Sequence, residues 1–563
     1  MVSKTDRSFL SVIVLIAGIG TGLIITPSIS MDPINIPKLS VLVPSAFVIL
    51  GVLLLSLKKF LLSANRVFLT LLLLFLIQIT LVLLLAEAPF NQQFFGVSGR
   101  NTGFLAYFSL VFLSLGASFA SSAKMLERIS YSAISIGILS ALYGLLQTTG
   151  NDPIKWNNPY NSVITFLGNP NFASSSLGMC SVAAFALLLG RKRSIVIKGL
   201  LLALIITSVA LTLLSKSQQG TLVFAAGSFA VLTYFLLKHP KFQNKKIIGV
   251  YFFATLTVGF ITILGMLNQG PLGSLLYKAS VRQRGFYWDA ARDMMFSHPF
   301  FGIGLDSYGD WYFAKRSANA ATLTPTTQSN SAHSIFLDLG SAGGIPLFLI
   351  NIALVLLTAI AIFKLIKRHK TFEWPLAAVI GMWVAYESQA LISINQLGLG
   401  VWGWIFMGLI IGYEHLTRSD ETENLQPKNG RNSFSLKSKN SKESNLVYLG
   451  GIIGLVIGMV ITIPIFQADA NFRKAIGGSD ANLVIKASTA YPEDLTRTLQ
   501  LAEALYGNEL KTQADELLGH ILIENPRSYN AWLLKFNVSE QDSAEWKEAK
   551  SKLEFLNPNV PIQ

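Results

Sequence analysis

The chain has 563 residues, 51% of them hydrophobic and only 13% charged, with a mean hydropathy of +0.49; soluble proteins carry roughly 25% charged residues, so a soluble globular enzyme is excluded. The formal net charge of +14 would suit a nucleic-acid binder, but the basic residues fall in short, separate loops between apolar runs, which excludes that class. One cysteine, Cys180, lies inside an apolar run, so no intramolecular disulfide can form.

Apolar runs long enough to cross a hydrocarbon core of about 30 Å recur along the chain. They predict an all-α, polytopic membrane protein of thirteen spans, at residues 8–27, 39–56, 67–86, 103–121, 128–147, 173–190, 196–214, 220–237, 247–267, 344–364, 375–393, 398–415 and 446–466. The first is read as a span and not a signal peptide, because "IITPSISMDP" lacks a small-x-small cleavage pattern. Lys and Arg concentrate in "KKFLLSANR" (58–66), "RKRSIVIK" (191–198), "KHPKFQNKK" (238–246) and "KLIKRHK" (364–370). The intervening short loops hold only Lys38, Arg100, Lys155 and Lys216. Positive loops face the cytoplasm, which predicts an inside N-terminus and an outside C-terminus.

The chain therefore divides into spans one to nine (1–267), a large outer loop (268–343), spans ten to twelve (344–415), a cytoplasmic linker (416–445), span thirteen (446–466) and a soluble C-terminal region (467–563). In the outer loop, "VRQRGFYWDAARDMMFSHPFFGIG" predicts an amphipathic helix ending near His298–Pro299. Its apolar positions are Phe286, Tyr287, Ala290, Ala291, Met294 and Met295. "GIGLDSYGDWYF" supplies glycine turns and aromatics, and "SANAATLTPTTQSN" reads as a polar, mobile strap. The linker has too few apolar groups to fold alone. In the C-terminal region, Pro492, Pro526 and Pro558 recur 34 and 32 residues apart, the period of tetratricopeptide-type helix pairs. Such pairs either cap their own protein or dock a protein partner.

Ionisable groups at the bundle surface are functional candidates, because burying them near lipid is unfavourable. Of the six histidines, His239, His369 and His415 fall among inner basic loops, His520 in the C-terminal helices and His298 at a helix end. His333, in "NSAHSIFLDLGSAGG" at the mouth of span ten, remains; an imidazole there either anchors the loop or accepts a proton from a hydroxyl. Arg284 and Arg100 are the outward arginines suited to phosphate oxygens. Three polar clusters share that side: Lys216, Gln218 and Gln219; Asn171 with Asn169; and Gln389, Asn395 and Gln396. Trp288 and Tyr308 join them as candidate glycan or acceptor contacts. Asp306 and Asp310 read as turn residues, and no metal or cofactor motif is present.

The segments "RGFYWDAARDMMFSHPFFGIGLDSY" (284–308) and "AHSIFLDLGSAGGIPLF" (332–348) resemble the O-antigen ligase/polymerase family of bacterial membrane enzymes. "FFGVSGRNTG", "GNPNFASSSLG" and "SINQLGLGVWGW" are similar to further family segments, so that the resemblance spans roughly 90–410. It implies a GT-C-like fold in the bacterial plasma membrane and a metal-independent, inverting glycosyl transfer on the extracytoplasmic face. The donor would be a glycan on undecaprenyl diphosphate and the acceptor a lipid, glycan or protein. Arg284 would hold the diphosphate, with Arg100 and Lys216 as further cations, and His333 would assist the acceptor hydroxyl. The family's second arginine, in a Ser-Arg-Gly motif, is replaced here by "SKSQQG". Ligation, repeat-unit polymerisation and protein O-glycosylation share these motifs. Outside the family, a lipid-linked glycan transporter would need a midplane site within inverted repeats, and a non-catalytic scaffold would leave the loop motif unexplained.

Overall fold

The computed structural model describes residues 4–156, 163–190, 193–242, 244–424, 440–478 and 480–561, and every regular element among them is a helix. Each apolar run of the sequence lies on a helix. Eleven described helices have at least 18 residues and are apolar enough to cross a membrane. The helices Phe104–Ala120 and Trp374–Ala390 have 17 residues each, a rise of about 26 Å. The helix Leu397–Asn424 runs through the centre, buried on every side from Leu397 to Glu414, as its apolar circumference requires. The helix Lys245–Met266 lies at the rim with only Gly265 buried and turns Phe253, Leu256 and Phe260 outward.

Between apolar helices in lipid, close backbone contact takes over from the hydrophobic effect. Gly450, Gly454 and Gly458, spaced by four, seat the helix Asn440–Ile476 directly on Asn35–Leu55, where a Cβ at Gly454 would strike the Phe47 carbonyl and one at Gly458 the Pro44 Cα at 2.5 Å. Lys38, expected in an outer loop, is instead buried in Asn35–Leu55, and its ammonium donates to the Thr21 and Ile24 carbonyls at 2.8 and 3.0 Å, capping the end of Lys4–Leu23. At the opposite face of the bundle, Lys59 pairs with Asp6 at 2.5 Å and Arg368 with Glu414 at 3.0 Å. Residues 416–424 and 440–445, expected in an unfolded linker, continue the flanking helices; the rest of that linker lies outside the described residues.

The loop helix expected after residue 280 spans Ala279–Ser297, and its buried residues are the six apolar positions of the pattern. It packs on the helix Ile335–Arg368, which starts nine residues before the predicted span and breaks at Gly344, where φ is 71°. The Pro-x-x-Gly-x-Gly stretch (299–304) fills that break. Ile345 N donates to Pro299 O at 2.8 Å, Ile303 N to Ser341 O at 2.9 Å and Gly304 N to Ala342 O at 3.1 Å. Gln78 Nε2, from the helix Arg66–Leu85, satisfies the Phe300 and Gly343 carbonyls at 2.7 and 2.9 Å. The Ser341, Ala342 and Gly343 carbonyls and the Ile345 amide at the kink thus have the partners that buried backbone groups need.

The C-terminal region forms helices Ala481–Ser488, Leu495–Gly507, Lys511–Glu524, Tyr529–Val538 and Ala544–Leu556, the last four as two packed hairpins. They sit on the same face as the large loop. Arg316, 2% exposed, donates to the Thr324 and Pro325 carbonyls at 2.9 Å each and to Asn557 Oδ1 at 3.1 Å. Arg527 lies 3.4 Å over the Trp311 ring, and the Phe313 and Tyr529 rings meet at 57° with centroids 4.6 Å apart. The segment read as a mobile strap is held down by this docking and contains a helical turn, Ala318–Leu323, with Ala320 and Ala321 buried.

Candidate functional site

His333 stands in the turn just before Ile335–Arg368, with φ 52°, a left-handed conformation that histidine tolerates better than most side chains. Asp338 holds the turn in that shape. Its Oδ1 accepts from Ala332 N at 2.7 Å and its Oδ2 from Ser331 Oγ at 2.7 Å, while Ser331 Oγ accepts from His333 N at 2.9 Å. A carboxylate in a helix's first turn also meets the positive end of the helix dipole. The imidazole stacks on Tyr287 of the loop helix, with centroids 5.2 Å apart and planes 21° apart; Tyr308 supports that contact by donating its hydroxyl to Tyr287 O at 2.7 Å. Neither ring nitrogen of His333 is hydrogen-bonded by another of the described residues. Burial, then the Arg284 and Arg100 cations, lower its pKa from 6.5 to about 4, so the ring is uncharged at neutral pH.

The two arginines differ in how their charge is met. Arg284 Nε donates to Ile392 O at 3.0 Å and one terminal nitrogen to Ser280 O at 3.4 Å, and no carboxylate faces it among the described residues. Burial pushes its pKa below the ordinary guanidinium value. Arg100 donates to Asn330 O and pairs with Asp306 at 3.4 Å. Burial opposes its charge, but the fields of Asp306 and Asp338 outweigh that and raise its pKa. Asp306 in turn accepts from Val97 N at 2.7 Å and from Thr102 Oγ1 at 3.2 Å, so it shapes the 97–102 turn that presents Arg100. Of these two arginines, Arg284 is the one whose charge no carboxylate meets among the described residues.

The structure brings one polar cluster up to this centre and leaves the other apart. The 391–396 segment meets Arg284 through the Ile392 carbonyl. Behind it Asn395 Nδ2 donates to the Tyr107 hydroxyl at 3.3 Å and Gln396 Nε2 to Asn35 Oδ1 at 3.3 Å. The Gln389 and Asn395 side-chain oxygens have no hydrogen-bond partner. Lys216, Gln218, Gln219 and Asn171 form a separate group around the turn between Ile195–Leu214 and Gln219–Lys238. There Ser217 Oγ donates to Asn171 Oδ1 at 2.8 Å, Lys216 and Gln218 are exposed, and the buried Gln219 amide has neither atom partnered. No hydrogen bond or ion pair among the described residues joins this group to His333. Trp288 is half-buried with its indole nitrogen unpartnered. Tyr308, 4% exposed with its hydroxyl donated to protein, stands behind the site.

Sequence reasoning missed Asp338, Ser331 and Tyr287. A serine two residues before the histidine and an aspartate five after it were the available signal, since hydroxyl and carboxylate bracketing of a helix start is a capping pattern. The chemistry open to this arrangement is proton acceptance by a neutral imidazole beside an unpaired cation. Comparison with known families matches residues 172–352 to the family described as O-antigen ligase; that stretch includes Arg284 and His333, and leaves out Arg100 and the 389–396 cluster. No curated protein matches the chain.

Proposed function

We propose, from the match of residues 172–352 to the O-antigen ligase family, that the chain transfers a glycan from an undecaprenyl diphosphate carrier to an acceptor hydroxyl on the extracytoplasmic face. His333 takes the hydroxyl proton while the acceptor oxygen bonds to the anomeric carbon from the side opposite the leaving group. The bond from that carbon to the diphosphate oxygen breaks, the electron pair leaves with the carrier diphosphate, and configuration inverts. Arg284 stabilises the growing negative charge on the leaving group, and Arg100 adds to the local positive potential. The observation that carries this reading is the uncharged His333 ring, its nitrogens free of hydrogen bonds to the described residues, beside Arg284, which no carboxylate among those residues meets.

The two residues also explain each other. Burial first, and then Arg284 and Arg100, keep His333 a weak base in the free enzyme. A bound diphosphate offsets those positive charges and raises the imidazole's basicity when the acceptor must be deprotonated. The test is glycan transfer in a strain lacking the gene, complemented with wild type, His333→Ala or Arg284→Ala, with membrane levels measured for each. Loss of a positioned base lowers the rate by about 10²–10⁴-fold, and loss of an oxyanion-stabilising group by about 10²–10³-fold. Normal transfer by His333→Ala at normal abundance sinks the mechanism.

A further inference from the structure

A cleft of about 470 Å³ lies between the C-terminal helices and the loop face, within the size range of small-molecule sites. One wall comes from residues 89–101, a second from the large loop at 306–330, and the third from the C-terminal region at 492–530. Asn330 lines it, three residues before His333, and its carbonyl is the one that Arg100 binds, so the cleft abuts the candidate centre. Six carboxylates line it, Asp306, Asp310, Asp469, Glu493, Asp494 and Glu524, against a single lining cation, Arg497. Asn101, 5% exposed, also lines it and leaves its amide oxygen without a hydrogen-bond partner. The half-buried Phe95 and Tyr529 add ring surface.

From this cleft we propose that the C-terminal helices and the loop face together form a binding subsite for the sugar end of the acceptor, a saccharide rich in hydroxyl groups and free of phosphate. The inference rests on the glycan-transfer reading above. Carboxylate and amide oxygens accept hydrogen bonds, so a wall of them selects a ligand that donates many, and sugar hydroxyls do so while their C–H faces pack on aromatic rings. Asp306, Glu493 and Asp494 already have basic partners in the protein, and the lining cation Arg497 is held by Asp494, so the cleft leaves no free cation among the described residues to hold an anion. The Arg100–Asp306 pair marks the divide: Asp306 lines the cleft, whereas Arg100 acts on the His333 ring. A diphosphate donor is drawn to the Arg284 side, and the acceptor enters from the other, so the two substrates reach His333 from opposite directions. Docking of the C-terminal region through Arg316 and Arg527 keeps the third wall in place.

The experiment places a photo-crosslinking amino acid at Asn530, which is exposed and lines the cleft, in the full-length protein in cells. Ile523, 77% exposed and outside the cleft, is the control position. The expected result is a light-dependent, glycan-bearing adduct at 530, several-fold above that at 523, that persists in a strain unable to make the lipid-linked donor. An adduct that vanishes with the donor assigns the cleft to the donor glycan and overturns the proposal. A polypeptide adduct makes it a protein-docking groove and also overturns it, as does a yield at 530 no higher than at 523. The same measurement in the His333→Ala protein separates the two claims: an adduct retained while transfer is lost supports both, and an adduct lost while transfer depends on His333 removes the subsite alone.

Discussion

At His333, backbone and charge are both set by neighbours. Its left-handed turn persists because Asp338 and Ser331 bind three of the groups around it, and its low basicity follows from burial and two guanidinium groups. Since kcat/KM reports the free enzyme and kcat the substrate complex, the acid limb of kcat/KM is expected near pH 4 and that of kcat at higher pH, after the donor diphosphate has offset the arginines. Coincident limbs in a membrane-based transfer assay would falsify that coupling. The same shift has a stability consequence. The folded state holds this pKa below 6.5, so the unfolded chain binds the extra proton in between. The stability tied to His333 is therefore present above about pH 6.5 and is lost as pH falls towards 4. Asp338→Ala frees the turn and is expected to lower kcat by about 10²-fold, the scale of a 1 Å misplacement, with donor KM little changed; Asp338→Asn, which keeps one accepting oxygen, retains part of the rate. His333 stood out in the sequence through its side of the membrane once His298 was read as a helix end, and Arg284 through the loop motif that resembles the family. Asp338 and Tyr287 were not, since their role exists only once the loop helix lies against the start of the next span.

At the scale of elements, the Pro-x-x-Gly-x-Gly motif and the broken helix form one unit. Gly302 and Gly304 have φ of 62° and 99°, and Gly344 at the break has 71°. A Cβ at Gly344 would lie 2.5 Å from the Pro299 carbonyl oxygen. Gly344→Ala is accordingly expected to destabilise the protein by about 1–3 kcal/mol, the usual range for a residue forced into such a backbone region. It should also lower transfer, because His333 stands on the segment that ends at this kink; thermal unfolding in detergent and transfer per molecule measure the two effects. The loop helix was readable from its period, and all six of its apolar positions are buried. Its partner was not readable, because a 3.6-residue pattern states which face is covered and says nothing of what covers it.

For the whole molecule, the C-terminal helices behave as part of the site's wall. Arg316 and Arg527 join them to the loop through buried hydrogen bonds and ring stacking. Arg316→Ala leaves the Pro325 carbonyl and Asn557 Oδ1 without the donor they have here, while Thr324 O keeps Thr327 N, a loss of about 1–3 kcal/mol. Faster amide exchange across residues 495–556 with little change in the bundle is the expected readout, and unchanged exchange would show that other contacts hold the domain.

The amino-acid sequence by itself determined that this is a helical membrane protein, where its apolar helices run and which arginine and histidine merit attention. Those properties depend on the thickness of hydrocarbon and on neighbours within a few residues. Only the tertiary structure decided that residues near 100, 284, 333 and 392 meet, that the Lys216 group stands apart and that the C-terminal helices close a cleft beside His333. Contacts between positions tens to hundreds of residues apart come from packing, and packing is a property of the folded chain as a whole.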